Sequence, residues 1–161
     1  LFFIIYRSAI ESYLNPSIAF AEYKLLSDMM NEPLSSIMTR KVITASPDDK
    51  LQVARDIFRT NRVHHLPIVN GSNLLGILTT YDIFKRVESK DDYERLMIKD
   101  IMTTHVATLE PEDKIGSAAE LFLENLFHAV PIVKNGELQG IVTSFDVIKY
   151  EFHKEYPTQE I

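Results

Sequence analysis

Shifted by 64 residues, the chain falls on itself without a gap. Ile37-Met38-Thr39 meets Ile101-Met102-Thr103, Pro47 meets Pro111, and Asp49-Lys50 meets Asp113-Lys114. Phe58, Asn61 and His64 meet Phe122, Asn125 and His128. Pro67-Ile68-Val69 meets Pro131-Ile132-Val133, and Gly76, Thr79, Asp82 and Lys85 meet Gly140, Thr143, Asp146 and Lys149. Chance does not hold register this long, and duplication at such a period means stacked or pseudo-symmetric units. A unit of about 60 residues buries too little surface to be secure alone. The two copies are therefore expected to join through their sheets and share a core.

Each copy predicts strand–helix–strand–strand–helix. Val42, Ile43 and Thr44 read as a short extended piece. Ser46-Pro47-Asp48-Asp49 reads as a helix start, with Ser as N-cap, Pro in the first turn and acids at the positive helix end. Glu110-Pro111-Glu112-Asp113 repeats it with a weaker cap. Leu51, Ala54, Ile57 and Phe58 follow at helical spacing, as do Ile115, Ala118, Leu121 and Phe122. Two apolar runs joined by Asn70-Gly71-Ser72-Asn73, or by Lys134-Asn135-Gly136-Glu137, predict hairpins. A second helix opens at Thr79-Thr80 or Thr143-Ser144, with Asp82 or Asp146 in its first turn. The expected division is a helical segment over 1–34, units over 35–88 and 99–153, a polar link over 89–98 and a tail over 154–161.

A net charge of −6 disfavours sequence-independent nucleic-acid binding, which needs Lys and Arg against phosphates. The absence of Cys excludes disulfides and thiolate metal sites. Leu1-Phe2-Phe3-Ile4-Ile5-Tyr6 is far shorter than the ~20 residues that span a bilayer, and no basic region precedes it as in a signal peptide. It reads as an amphipathic helix, given Arg7, Glu11 and Ser12, or as the tail of a membrane segment lying upstream. No phosphate loop, His-Glu-x-x-His or Cys nucleophile is present, and the five glycines form no dinucleotide fingerprint. No catalytic residue and no metal site are expected.

Ile37-Met38-Thr39, the Pro47 turn, His64-His65-Leu66-Pro67-Ile68-Val69 and Gly76-Ile77-Leu78-Thr79-Thr80-Tyr81-Asp82 together resemble a CBS domain. The second copy carries the same signature through Gly140-Ile141-Val142-Thr143-Ser144-Phe145-Asp146, and the likeness covers roughly 35–152. The resemblance implies an α/β (α+β) fold of tandem CBS domains packed as a pseudo-two-fold pair, a Bateman module. Such pairs commonly bind adenosine-containing ligands in clefts between the repeats and commonly dimerise into discs.

Thr79, Thr80 and Asp82, with Thr143, Ser144 and Asp146, have two readings. They cap a helix, Thr as N-cap and Asp against the dipole, or they hold a ligand, since the resemblance puts this Asp on the ribose. The family often has Arg just before that Asp as a phosphate clamp. Here Tyr81 and Phe145 stand in its place, which argues against tight polyphosphate binding. His64, His65 and His128 are strand-edge histidines by composition and phosphate neighbours by resemblance. A shared metal at His64-His65 is disfavoured because adjacent strand residues face opposite ways. Thr44 and Thr108 show ordinary β-propensity, while the resemblance puts them on the adenine side.

The copies also differ. Arg55, Arg59 and Arg62 are spaced to share one helical face, and their counterparts are Ala119, Leu123 and Leu126. An apolar stripe in water costs about 25 cal/mol per Å², so the second helix should be covered. The cover is a second subunit or the N-terminal segment, whose Ala19, Tyr23, Leu26 and Met30 form a stripe after the break at Asn15-Pro16.

Together with these residues, the resemblance implies a cytoplasmic, non-enzymatic regulatory homodimer that senses AMP, ADP, ATP or S-adenosylmethionine. It requires no cofactor and binds neither nucleic acid nor membrane, unless a segment is missing upstream of Leu1. The other reading is a dimerisation or protein-interaction module without a functional ligand.

Overall fold

The structure, a computed structural model, describes residues 31–125 and 127–156. In the first repeat, helix α1 (Leu51–Asn61) is followed by strands β1 (His65–Asn70) and β2 (Asn73–Thr79) and by helix α2 (Thr80–Arg86). A short helix α3 (Asp92–Arg95) lies between the repeats. The second repeat has α4 (Ile115–Asn125), β3 (Ala129–Lys134), β4 (Glu137–Thr143) and α5 (Ser144–Glu155). The strands form one antiparallel sheet in the order β1-β2-β4-β3, so the two hairpins meet through β2 and β4 at Asn73 and Glu137.

Both hairpins form where the turn residues predict them. Gly71 (φ +63°), Asn135 (φ +54°) and Gly136 (φ +84°) take the left-handed conformations that such turns need. Each hairpin has the same irregularity, at Ile68/Val69 and at Ile132/Val133. There a preceding segment docks parallel to the outer strand, through Ala45 on Ile68 and Leu109 on Ile132. The extended piece Val42-Ile43-Thr44 is thus a lead-in to a single bridge, not a full strand.

The first helix of each copy starts later than Ser46-Pro47 suggests. Residues 46–49 form a turn, closed by the Asp49 N–H on the Ser46 carbonyl (3.1 Å) and by the Asp49 carboxylate on the Ser46 N–H (2.8 Å). The helix begins at Leu51, whose N–H donates to the Leu96 carbonyl (3.1 Å), so a distant backbone group does what a capping side chain would do. In the second copy Asp113 accepts from the Glu110 N–H (2.7 Å), and Ile115 donates to the Glu32 carbonyl (3.0 Å). At the other end of α1, Arg62 sits beyond the helix with φ +53°, so it does not continue the basic face. Arg55 pairs with Asp56 at 3.0 Å.

The repeats exchange their leading segments. A 3-10 turn, Leu34–Ser36, opens the first repeat, yet Leu34 and Met38 are buried in the core of the second with Ile115, Ala118, Phe122, Val130, Ile132 and Val142. The 3-10 turn Ile98–Asp100 opens the second repeat, yet Ile98 is buried with Leu51, Ala54, Leu66, Ile68, Leu78 and Ile83 of the first. Backbone bonds tie each leader across: Thr39 exchanges N–H···O=C bonds with Ile141 (2.9 and 3.1 Å), and Thr103 with Ile77 (2.9 Å each). Gly140 and Gly76 permit this approach. A Cβ on Gly76 would stand 2.6 Å from the Thr103 carbonyl oxygen, and one on Gly140 would stand 2.8 Å from the Met38 sulfur. Neither core is complete without the other repeat.

The polar link is more ordered than its composition suggests. Asp92 is only 7% exposed. It accepts from the N–H groups of Glu88 (3.0 Å) and Ser89 (2.9 Å) and from Arg95 (2.7 Å). The Arg95 hydrogen bond, then those backbone N–H groups, hold its carboxyl down at about 2.

Candidate functional site

Each hairpin delivers its second strand into the start of a helix, and that junction is the same in both copies. Thr79 is the N-cap of α2. Its N–H (2.8 Å) and hydroxyl (2.6 Å) both donate to Oδ2 of Asp82, and Asp82 returns an N–H to the Thr79 oxygen (3.1 Å). Thr143 and Asp146 repeat this at 2.7, 2.6 and 3.3 Å. Capping is therefore real at both sites. It also has a chemical consequence. One carboxylate oxygen is fixed by two donors, which locks the rotamer, while the half-buried side chain presents its other oxygen in a set direction. A rigid carboxylate beside a helix start suits a pair of vicinal hydroxyls.

The histidines stand next to these junctions. His65 lies opposite Thr79 in the β1–β2 register, and Ala129 lies opposite Thr143. The carbonyls of His64 and His128 accept from the N–H groups of Thr80 (3.2 Å) and Ser144 (3.1 Å), the first residues of α2 and α5. Burial holds the half-buried His65 imidazole below its usual value, and the charges of His128 and His64 push the same way. Asp82 opposes them. His128 belongs to the other repeat. His64, His65, Thr79, Thr80 and Asp82 are thus together in the first repeat, and His128, Thr143, Ser144 and Asp146 in the second. Thr44 and Thr108 each stand one residue before the bridge on the outer strand.

Tyr81 and Phe145 are 65% and 69% exposed, and they bring no charge to the residues beside Asp82 and Asp146. Among the described residues no group of three or more His, Asp or Glu side chains is placed to hold a metal ion, and no helix is long and apolar enough to cross a membrane. A polar depression of about 530 Å³ lies beside Arg86, Asp92, Arg95 and Asp100. Its lining includes none of the capping-box residues, and Arg95 is already committed to Asp92.

Comparison with known proteins gives a consistent answer. A family model described as CBS domain matches residues 34–89 and again 98–153. The uncharacterized protein MJ1225 of Methanocaldococcus jannaschii is 35% identical over 121 residues, 74% of this chain and 43% of that protein. An inosine-5'-monophosphate dehydrogenase of Korarchaeum cryptofilum is 34% identical over 119 residues, 73% of this chain and 24% of the enzyme. The chain thus spans less than half the length of either. Among solved structures, the CBS domain pair of protein MJ0100, in complex with 5'-methylthioadenosine and S-adenosyl-L-methionine, matches with a TM-score of 0.66 and 28% identity. That match covers 76% of this chain and 97% of that one. With two family matches spanning most of the sequence and a fold in which each repeat completes the other, the chain belongs to the CBS domain family as a tandem pair.

Proposed function

We propose that this pair is a regulatory module that binds an adenosine-containing small molecule and catalyses no reaction itself. The observation that carries this reading is the duplicated Thr–Asp capping box, which fixes a carboxylate at each β–α junction. A ribose offers two vicinal hydroxyls to such a group, and MJ0100 supports the choice, since both of its ligands contain adenosine. Thr80, Ser144 and the histidines would complete the polar lining, with Thr44 and Thr108 on the base side. Tyr81 and Phe145 favour ligands with little negative charge over polyphosphates. AMP and S-adenosylmethionine-type compounds therefore rank above ADP and ATP. The response is a change in packing between the repeats, in a cytoplasmic setting without nucleic acid or membrane as partner. A thermal-shift screen of the whole chain tests this: a ligand at 100 times its dissociation constant adds about 2.7 kcal/mol of stability. No shift with any adenosyl compound would favour the second reading, a dimerisation module whose clefts are unused.

That second reading has its own observation, and we propose a homodimer in either case. Tyr81 and Phe84 on α2 and their counterparts Phe145 and Ile148 on α5 are all exposed. Matched apolar patches on two pseudo-symmetric helices suit a two-fold partner. Replacing Ile148, which is 63% exposed, with Glu should leave the fold intact and give monomer in sedimentation. An unmodified chain that sediments as monomer at high micromolar concentration would contradict the dimer.

His65 makes binding and stability depend on pH. Its folded-state value is depressed, so its stabilising contribution is complete above the unfolded value of 6.5 and is lost as pH falls through the folded value. Thermal stability of the free protein should fall on acidification below about 6.5, and His65→Gln should flatten that fall. A phosphate nearby favours the imidazolium. AMP affinity, corrected for phosphate's own ionisation, should then rise as pH falls, while adenosine affinity should not. Identical corrected profiles for AMP and adenosine would remove the histidines from the site.

A further inference from the structure

The two repeats are entered through the same set of backbone bonds. Leu51 donates to the Leu96 carbonyl as Ile115 donates to Glu32. Lys50 bridges Met97 as Lys114 bridges Pro33. Ile98 and Lys99 donate to Asp49 and Pro47 (2.9 and 3.0 Å), as Leu34 and Ser35 donate to Asp113 and Pro111 (2.8 and 3.0 Å). Every one of these pairs is related by the same 64-residue shift.

In the first repeat, the residues just upstream of this entry are α3. It packs on α1, with Tyr93 against the core and the Arg55 guanidinium 5.0 Å from its ring centre. The same shift applied to Asp92 and Tyr93 gives Asp28 and Met29, and applied to Arg55 it gives Ala119 on α4. Residues 1–30 lie outside the described residues.

We propose that Asp28-Met29-Met30 docks on α4 around Ala119, as α3 docks on α1 around Arg55. Four features point to this occupant. The chain is already fixed at Glu32, both by its carbonyl on Ile115 and by its carboxylate, which accepts from Tyr150 on α5 (3.0 Å). Met29 lies three positions before Glu32, a reach of at most about 11 Å. The sequence changes in step at both positions: Arg55 and Tyr93, which meet in the first repeat, correspond to Ala119 and Met29, an apolar pair that is chemically compatible. One turn along α4, Leu123 is 80% exposed where the first repeat has Arg59, which continues an apolar surface toward the stripe of Leu26, Tyr23 and Ala19. The proposal does not depend on any ligand. It implies that whatever precedes residue 28 is coupled to the second repeat.

The chain has no Cys, so engineered pairs can be crosslinked cleanly with a short bismaleimide. In the full chain, M29C with A119C should give an intrachain product, as should R55C with Y93C, the equivalent pair of the first repeat. The mismatched pair M29C with R55C should give about tenfold less, because only a docked pair reacts at a millimolar effective concentration. M30C with L123C repeats the test without touching the partly buried Ala119. Absence of the intrachain product from both α4 pairs, while R55C with Y93C reacts, would overturn the proposal. Product formed only between chains would also overturn it and would give the face to a second copy.

Discussion

Ile98→Ala is expected to destabilise the folded chain by about 2–5 kcal/mol, and the damage should appear in the first repeat. Ile98 opens the second repeat in sequence, but it is fully buried among Leu51, Leu66, Ile68 and Leu78 of the first. Its counterpart Leu34 is fully buried in the opposite core. Hydrogen exchange separates the two variants. Ile98→Ala should lower protection in β1 and β2, and Leu34→Ala should lower it in β3 and β4, with both visible as lower midpoints in denaturant. The reverse assignment would contradict the exchange of leaders. The same exchange predicts that residues 98–153 do not fold alone, because their core lacks Leu34 and Met38 and their leader has lost its partners.

Much of this architecture is legible in the sequence because it depends on local chemistry. The hairpins follow from Gly71 and Asn135-Gly136, and the second helix of each copy follows from Thr79 and Thr143 with Asp three residues on. The exchange is not legible, because a repeat cannot say whether each leader packs on its own unit or on the other. Gly76 and Gly140 inside apolar strands do signal a close backbone approach, but they do not name Thr103 or Met38. The Ser46-Pro47 turn misleads for a related reason. It has the composition of a helix cap, yet the donors of the real helix start are met by the carbonyl of Leu96, which is remote in sequence. Asp92 escapes notice in a polar stretch, and only its surrounding N–H groups and Arg95 make its burial tolerable. At the candidate site, residue types and positions are readable as Thr–Asp pairs and His64-His65. The influence of His128 on His65 is not, since it depends on how the repeats pack together.

The largest expected effect on binding belongs to the two carboxylates. Removing the charged acceptor of a ribose hydroxyl costs about 1.5–3 kcal/mol, or roughly ten- to a hundred-fold in affinity. Asp82→Ala also breaks a capping box, worth about 0.5–2 kcal/mol of stability, so a cap-only control is needed. Thr79→Val breaks the cap and keeps the carboxylate. It should lower the melting temperature and, by removing one of the two donors that fix Oδ2 of Asp82, weaken binding at that cleft by less than Asp82→Ala does.

Calorimetric titration of AMP and S-adenosylmethionine into the unmodified chain, Asp82→Ala, Asp146→Ala and the double variant tests the proposed function most directly. The account predicts saturable binding to the unmodified chain, a loss of roughly ten- to a hundred-fold in the single variant at the occupied cleft, and a loss of that size at every cleft in the double variant. Affinity unchanged across all three variants would contradict it.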